Sequence, residues 1–197
     1  MKKIAYLFLV SLLLSSCAVT KPRPQSLKND QESLLVSVLW FQRSAEMRAL
    51  FLQGYNTASR ILEEKVRTSV ASRPRAVIMD LDETVLDNSP SEVYLIRNNM
   101  PFSDSLWKRW VGTASAKACP GSPEFIRLAK NLGVEVFYVS NRDMAGELEP
   151  TIRNLEKLGI PFADRDHMIL RTDAGSKEAR RKALREKYDI LMLVGDN

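Results

Sequence analysis

"AVIMDLDETVLDNSP", residues 76–90, decides the fold. Ala76 to Met79 form a short continuous apolar run with β-branched members, the pattern of a strand buried on both faces. The run ends in Asp80, Asp82 and Glu83, three acids within four positions. Crowded carboxylates repel one another and resist desolvation. The end of this strand therefore calls for a cation that offsets the acids or a reaction that uses them.

Two further runs of the same kind follow, "VEVFYVS" (134–140) and "DILMLVGD" (189–196), and "HMIL" (167–170) is a shorter candidate. Helical periodicity fills the gaps at 123–132, 146–158 and 176–187. Strands alternating with helices predict an α/β fold with a parallel sheet over residues 73–197. Residues 88–120 interrupt the alternation with aromatics and turn formers and read as an insertion after the first strand. An insertion there lies at the C-terminal edge of the sheet, where ligands bind in this class. Residues 28–72 carry apolar positions at helical spacing and read as two helices or one broken helix, with Gly54 as a close-packing point.

The 197 residues suffice for one domain with a real core, and 45% hydrophobic with 27% charged residues is a globular composition. The formal charge of +5 falls by two once Lys2 and Lys3 are set aside, too little and too evenly spread to imply a nucleic acid polymer as partner. The basic run "KEARRKALREK" (177–187) reads as a solvated helix face. Residues 1–16 read as a signal peptide, with a positive start and an apolar stretch too short for a comfortable membrane span. "LSSC" (14–17) resembles the lipobox of bacterial lipoproteins, which implies lipidation at Cys17 and a protein anchored outside the cytoplasm by lipid, with an ordinary secretory signal as the alternative. Ala18 after the cysteine favours the outer membrane in a Gram-negative host; in a Gram-positive host the site is the cell membrane. Residues 17–27, with two prolines, read as a tether. Cys119 is the only other cysteine, so no internal disulfide follows once Cys17 is lipidated, and a small buried thiol is the expectation.

In a parallel sheet all strand ends meet at one edge. That edge gathers Asp80 and Asp82, then Ser140-Asn141-Arg142, then Gly195-Asp196-Asn197, with Lys177 opening the helix before the last strand. Two carboxylates and a backbone carbonyl, completed by waters, suit Mg²⁺. A free carboxylate can attack phosphorus, a second carboxyl can donate and take up a proton, and a hydroxyl and an ammonium can hold phosphoryl oxygens.

D-x-D-x-T after a hydrophobic strand resembles the first motif of the haloacid dehalogenase superfamily, and "DLDETVLDNS" is similar to the form in class C bacterial acid phosphatases, the DDDD phosphohydrolases, many of them lipoproteins. "WFQRSAEMRALFLQGYNTAS" (40–59), "FYVSNR" (137–142), "SKEARR" (176–181) and "VGDN" (194–197) resemble that family's N-terminal helix and later motifs, in order. The resemblance implies a Rossmann-like fold and a Mg²⁺-dependent acid phosphatase acting on small phosphate esters such as nucleoside 5′-monophosphates. It implies Asp80 as nucleophile and metal ligand, and Asp82 as acid/base with its carbonyl on the metal. It implies Ser140, Asn141 and Lys177 as phosphate holders and Asp196 as the third metal ligand. Lys177 as an exposed helix lysine stays open beside that role. Tyr94, Trp107 and Trp110 are candidates for stacking on a nucleobase, with plain packing as the alternative, and Glu83 is expected to serve the loop.

The family's fourth motif continues as G-D-N-L-x-D-F, whereas this sequence stops after G-D-N. A truncated chain is therefore an expectation, and with it a second reading: a catalytically impaired surface lipoprotein that only binds ligand or metal. A phosphotransferase passing the phosphoryl group to another alcohol is a third.

Overall fold

The computed structural model describes residues 28–173 and 175–196, with side chains from Ser33 onward. The segments expected as signal peptide (1–16) and tether (17–27), the expected lipidation site Cys17, and Asn197 lie outside the described residues. The chain divides into residues 1–33 and a body from Leu34 to Asn197.

The first helix among the described residues, α1 (Lys28–Arg43), gives way to α2 (Ala45–Thr68) at a single residue. Ser44 stops one helix and starts the next: its hydroxyl accepts the Met47 N–H at 3.2 Å, satisfying a donor that a helix start leaves free. The sequence allowed two helices or one broken helix, and the break falls at Ser44. Gly54 is not a close-packing point, because a Cβ there would meet nothing within 4 Å.

The central sheet takes β1 (Arg75–Met79), β4 (Glu135–Asp143), β5 (Met168–Arg171) and β6 (Asp189–Val194) in the order β5-β4-β1-β6, with every pairing parallel. Period-two alternation explains why its strands read as unbroken apolar runs. Val77, Met79, Val136 and Tyr138 enter the larger core; Ala76, Ile78, Phe137 and Val139 enter a second core on the other face with Leu184. Helices α5 (Ser122–Asn131), α6 (Met144–Lys157) and α7 (Glu178–Lys187) fill the predicted gaps within two residues at each end. β6 is an edge strand with Leu193 48% exposed, and an apolar groove lined by Leu50, Phe51, Ile61 and Leu191 runs between it and α2.

The insertion is ordered into α3 (Ser89–Arg97), α4 (Asp104–Gly112) and a small antiparallel ribbon of β2 (Leu86–Asp87) with β3 (Lys117–Ala118). Two of its turn formers stand at helix starts. Pro90 sits in the first turn of α3, and the Ser103 hydroxyl accepts the Leu106 N–H at the start of α4. Cys119 is the expected buried free thiol, and burial pushes its pKa upward.

Candidate active site

The chain leaves β1 in a tight turn. Leu81 supplies one carbonyl to the N–H groups of Val85 and Leu86, both at 2.8 Å, and Glu83 takes a left-handed backbone with φ 53°. Tyr55 of α2, buried in the core, braces the turn by donating its hydroxyl to the Thr84 carbonyl at 2.8 Å. Asp80 follows β1 directly and its N–H is bonded to the Val194 carbonyl at 2.9 Å, so the Asp80 and Asp196 positions lie at neighbouring strand ends. Ser140 lies within β4, which runs on through Asn141 and Arg142 instead of stopping at Ser140.

Each of the three crowded acids is offset differently. Asp80 forms an ion pair through Oδ2 with the Lys177 ammonium, both side chains being about nine-tenths buried, while Oδ1 accepts the Leu81 N–H at 2.8 Å. Lys177 is therefore not an exposed helix lysine, although it sits just ahead of α7. Asp82 is paired with Arg142, whose side chain is only 2% exposed; Nη2 and Nε donate to Oδ1 at 2.8 and 3.0 Å. Asn88 donates to the same oxygen at 2.8 Å, and the Ser140 hydroxyl donates to Oδ2 at 3.2 Å. Among the described residues no cation pairs with Glu83. Burial pushes its carboxyl up to about 7, opposed by the Asn88 N–H that it accepts at 2.9 Å and reinforced by Asp82 and Asp87. Glu83 closes the loop, as expected.

The remaining residues singled out in the sequence fall as follows. Asn141 is exposed, and its Oδ1 accepts Arg180 Nη2 at 2.6 Å; Arg180 Nη1 reaches the Ser140 carbonyl at 2.5 Å. Arg180 so ties the end of β4 to the helix that follows Lys177. Asp196 is exposed beyond β6 and lines one end of the apolar groove with Glu83 and Thr84. Among the described residues, no three His, Cys, Asp or Glu side chains are grouped as a metal site. The three aromatics each have a protein partner. Trp110 donates its indole N–H to Asn88 Oδ1 at 2.8 Å, Trp107 lies under the Arg142 guanidinium at 5.7 Å, and Tyr94 takes a hydrogen bond from Arg109 at 3.0 Å.

The sequence reading gave no role to Arg142, Asn88 or Arg180. A signal for the first was present: an arginine just past an apolar strand run, at the sheet edge that gathers the acids, is placed to pair with one of them.

The chain matches the family model described as HAD superfamily, subfamily IIIB (acid phosphatase), over residues 15–197. Its structure is similar to the class C acid phosphatase from Bacillus anthracis with tungstate bound, at a TM-score of 0.79 and 35% identity over 83% of this chain and 68% of that one. A second structure of the class C acid phosphatase from Bacillus anthracis gives 0.77 and 36%, over 81% and 66%. The stem 31 kDa glycoprotein of Glycine max is 27% identical over 125 residues, 60% of this chain and 49% of that protein. The chain thus spans about half the length of that curated relative.

Proposed function

Because the chain belongs to subfamily IIIB of the HAD superfamily, the acid phosphatase subfamily, we propose that it hydrolyses phosphate monoesters through a phosphoryl group carried on Asp80. The observation that carries this reading is the pair of carboxylates on one turn in opposite settings. Asp80 faces a lysine ammonium at the strand end; Asp82 is clamped by a buried arginine and faces a serine hydroxyl.

An Asp80 carboxylate oxygen attacks phosphorus; the new O–P bond forms as the ester P–O bond breaks, and that electron pair leaves on the ester oxygen. Asp82 passes a proton to the leaving oxygen, so the alcohol departs neutral. The Asp82 carboxylate then takes a proton from water, whose oxygen attacks phosphorus and releases inorganic phosphate from Asp80. Ser140, Asn141 and Lys177 hold the other phosphoryl oxygens and absorb charge in the transition state. The Asp80 and Asp196 carboxylates and the Asp82 carbonyl would hold a Mg²⁺ ion, because a hard cation takes oxygen donors. The ion, when bound, lowers the repulsion between the Asp80 carboxylate and the phosphoryl oxygens.

Asp80→Asn tests the reading directly. Hydrolysis of p-nitrophenyl phosphate with Mg²⁺ is expected to vanish while phosphate binding is largely kept; full activity in this variant would sink the assignment. Nucleoside 5′-monophosphates are the candidate natural esters, as the family resemblance of the sequence implies. A comparison of their kcat/KM with that of glycerol phosphate decides, and equal values go against nucleotides.

The leader and "LSSC" support lipid anchoring at Cys17, outside the cytoplasm. Among the described residues no helix is long and apolar enough to cross a membrane. Radiolabelled palmitate is expected in the wild-type chain and not in Cys17→Ala; equal labelling of both goes against the assignment.

A further inference from the structure

The two oxygens of Asp82 are not equivalent. Oδ1 receives three N–H donors within 3.0 Å, two from Arg142 and one from Asn88. Oδ2 receives the Ser140 hydroxyl at 3.2 Å and a long contact from Arg142 Nε at 3.4 Å. An aspartate carboxyl turns freely about its last torsion, which is broad and two-fold. This one has one oxygen clamped and the other turned towards the residue expected to hold the phosphoryl group.

The clamp is itself supported. Arg142 Nη1 donates to Thr151 Oγ1 at 2.9 Å, and that hydroxyl donates to the Glu147 carbonyl at 2.6 Å. The Arg142 guanidinium carbon lies 5.7 Å from the centre of the Trp107 ring. Asn88 is 2% exposed and its amide can point only one way. An indole N–H only donates, so the atom that takes it from Trp110 is the amide oxygen, and the NH₂ group faces Asp82. Arginine suits the position because a planar fork sets two donors on one carboxylate, whereas lysine supplies a point charge. The support draws on β4, α4, α6 and the turn after β1, so the insertion takes part in aiming Asp82.

We propose that Arg142 and Asn88 are positioning residues for Asp82: they lock Oδ1 as an acceptor, so that Oδ2 alone meets the leaving oxygen and carries the transferred proton. The inference rests on the reading of Asp82 as the proton donor. Neither residue touches the substrate; both act through Asp82.

The test separates proton delivery from general damage by the leaving group. p-Nitrophenolate departs with little help from a proton, whereas an alkoxide needs one. The full chain with Mg²⁺ is assayed for kcat/KM on p-nitrophenyl phosphate and on an alkyl phosphate, glycerol phosphate, as wild type, Arg142→Lys, Arg142→Ala and Asn88→Ala. General acid catalysis is worth roughly 10²–10⁴-fold, so the Arg142 variants are expected to lose about a hundredfold on the alkyl ester and tenfold or less on the aryl ester. Asn88→Ala should show the same selectivity, more weakly. Added guanidinium ion should restore part of the alkyl activity of Arg142→Ala, and Arg142→Lys in an Asp82→Asn background should add no further selectivity. If Arg142→Ala does not fold, Arg142→Lys and Asn88→Ala carry the comparison. Equal losses on both esters in variants that unfold cooperatively overturn the inference and leave the phosphatase reading standing. A wild-type chain that hydrolyses neither ester overturns both.

Discussion

Glu83→Gln should change how stability depends on pH, and the size of the change can be worked out from the structure. The Glu83 carboxyl is raised from its ordinary 4.5 to about 7, chiefly by burial. A group raised on folding contributes fully below its unfolded value, and the contribution is lost as pH climbs through its folded value. The native chain keeps most of the Glu83 proton until the pH approaches about 7, while the unfolded chain releases it above about pH 4.5. At 1.36 kcal/mol per pH unit, the whole window from 4.5 to about 7 is worth roughly 3 kcal/mol. Between pH 5 and pH 7.5 the wild-type chain should lose roughly 2 kcal/mol that Glu83→Gln does not lose. The glutamine keeps a carbonyl oxygen to accept the Asn88 N–H and cannot ionise. Urea unfolding of both chains at the two pH values, with a chelator present, gives the difference directly. Other groups cancel in that difference: the lowered Asp143 and Asp189 act at more acid pH, and the raised Glu92 is half exposed and common to both chains. Parallel stability curves for the two proteins would refute the reasoning. A wild-type chain that instead gains stability relative to the variant towards neutral pH would mean that Glu83 is ionised and paired.

Gly121→Ala should destabilise the fold by roughly 2–4 kcal/mol, combining a strained left-handed backbone at φ 88° with a Cβ only 3.0 Å from the Tyr55 Cβ. Thermal unfolding checks it, and an unchanged Tm would show that Tyr55 can yield. Arg180→Ala removes the donors that hold the Ser140 carbonyl and the Asn141 amide oxygen. Inhibition by inorganic phosphate should weaken about tenfold, the loss of about 1.4 kcal/mol, near the low end for hydrogen bonds to charged groups. An unchanged inhibition constant would mean that these residues need no such tie.

The sheet was legible in the sequence because parallel strands covered on both faces betray themselves as unbroken apolar runs, as at Ala76–Met79 and Val134–Val139. The insertion was legible as an interruption but not as helices. Stretches of only nine residues, such as Ser89–Arg97 and Asp104–Gly112, carry little periodicity, and their starts are marked only by Pro90 in a first turn and by Ser103 at an N-cap. Gly54 was misjudged because close approach is a property of the neighbouring surface, which a one-dimensional reading does not contain.

The acids were legible, and their counter-charges only half so. Lys177 stands in a recognisable motif just before a helix, and the structure joins it to Asp80 across 97 positions of sequence. Arg142 stands two residues beyond a serine that drew attention to itself, 60 positions from the carboxylate it clamps. Charge balance alone should have found it. Three carboxyl groups gathered at a buried strand end need an opposite charge, or a proton, for each. Lys177 accounts for Asp80, and a retained proton accounts for Glu83. That leaves Asp82 in need of a cation, and Arg142, the cation of the "SNR" segment at the same sheet edge, is the one that turns its side chain inward.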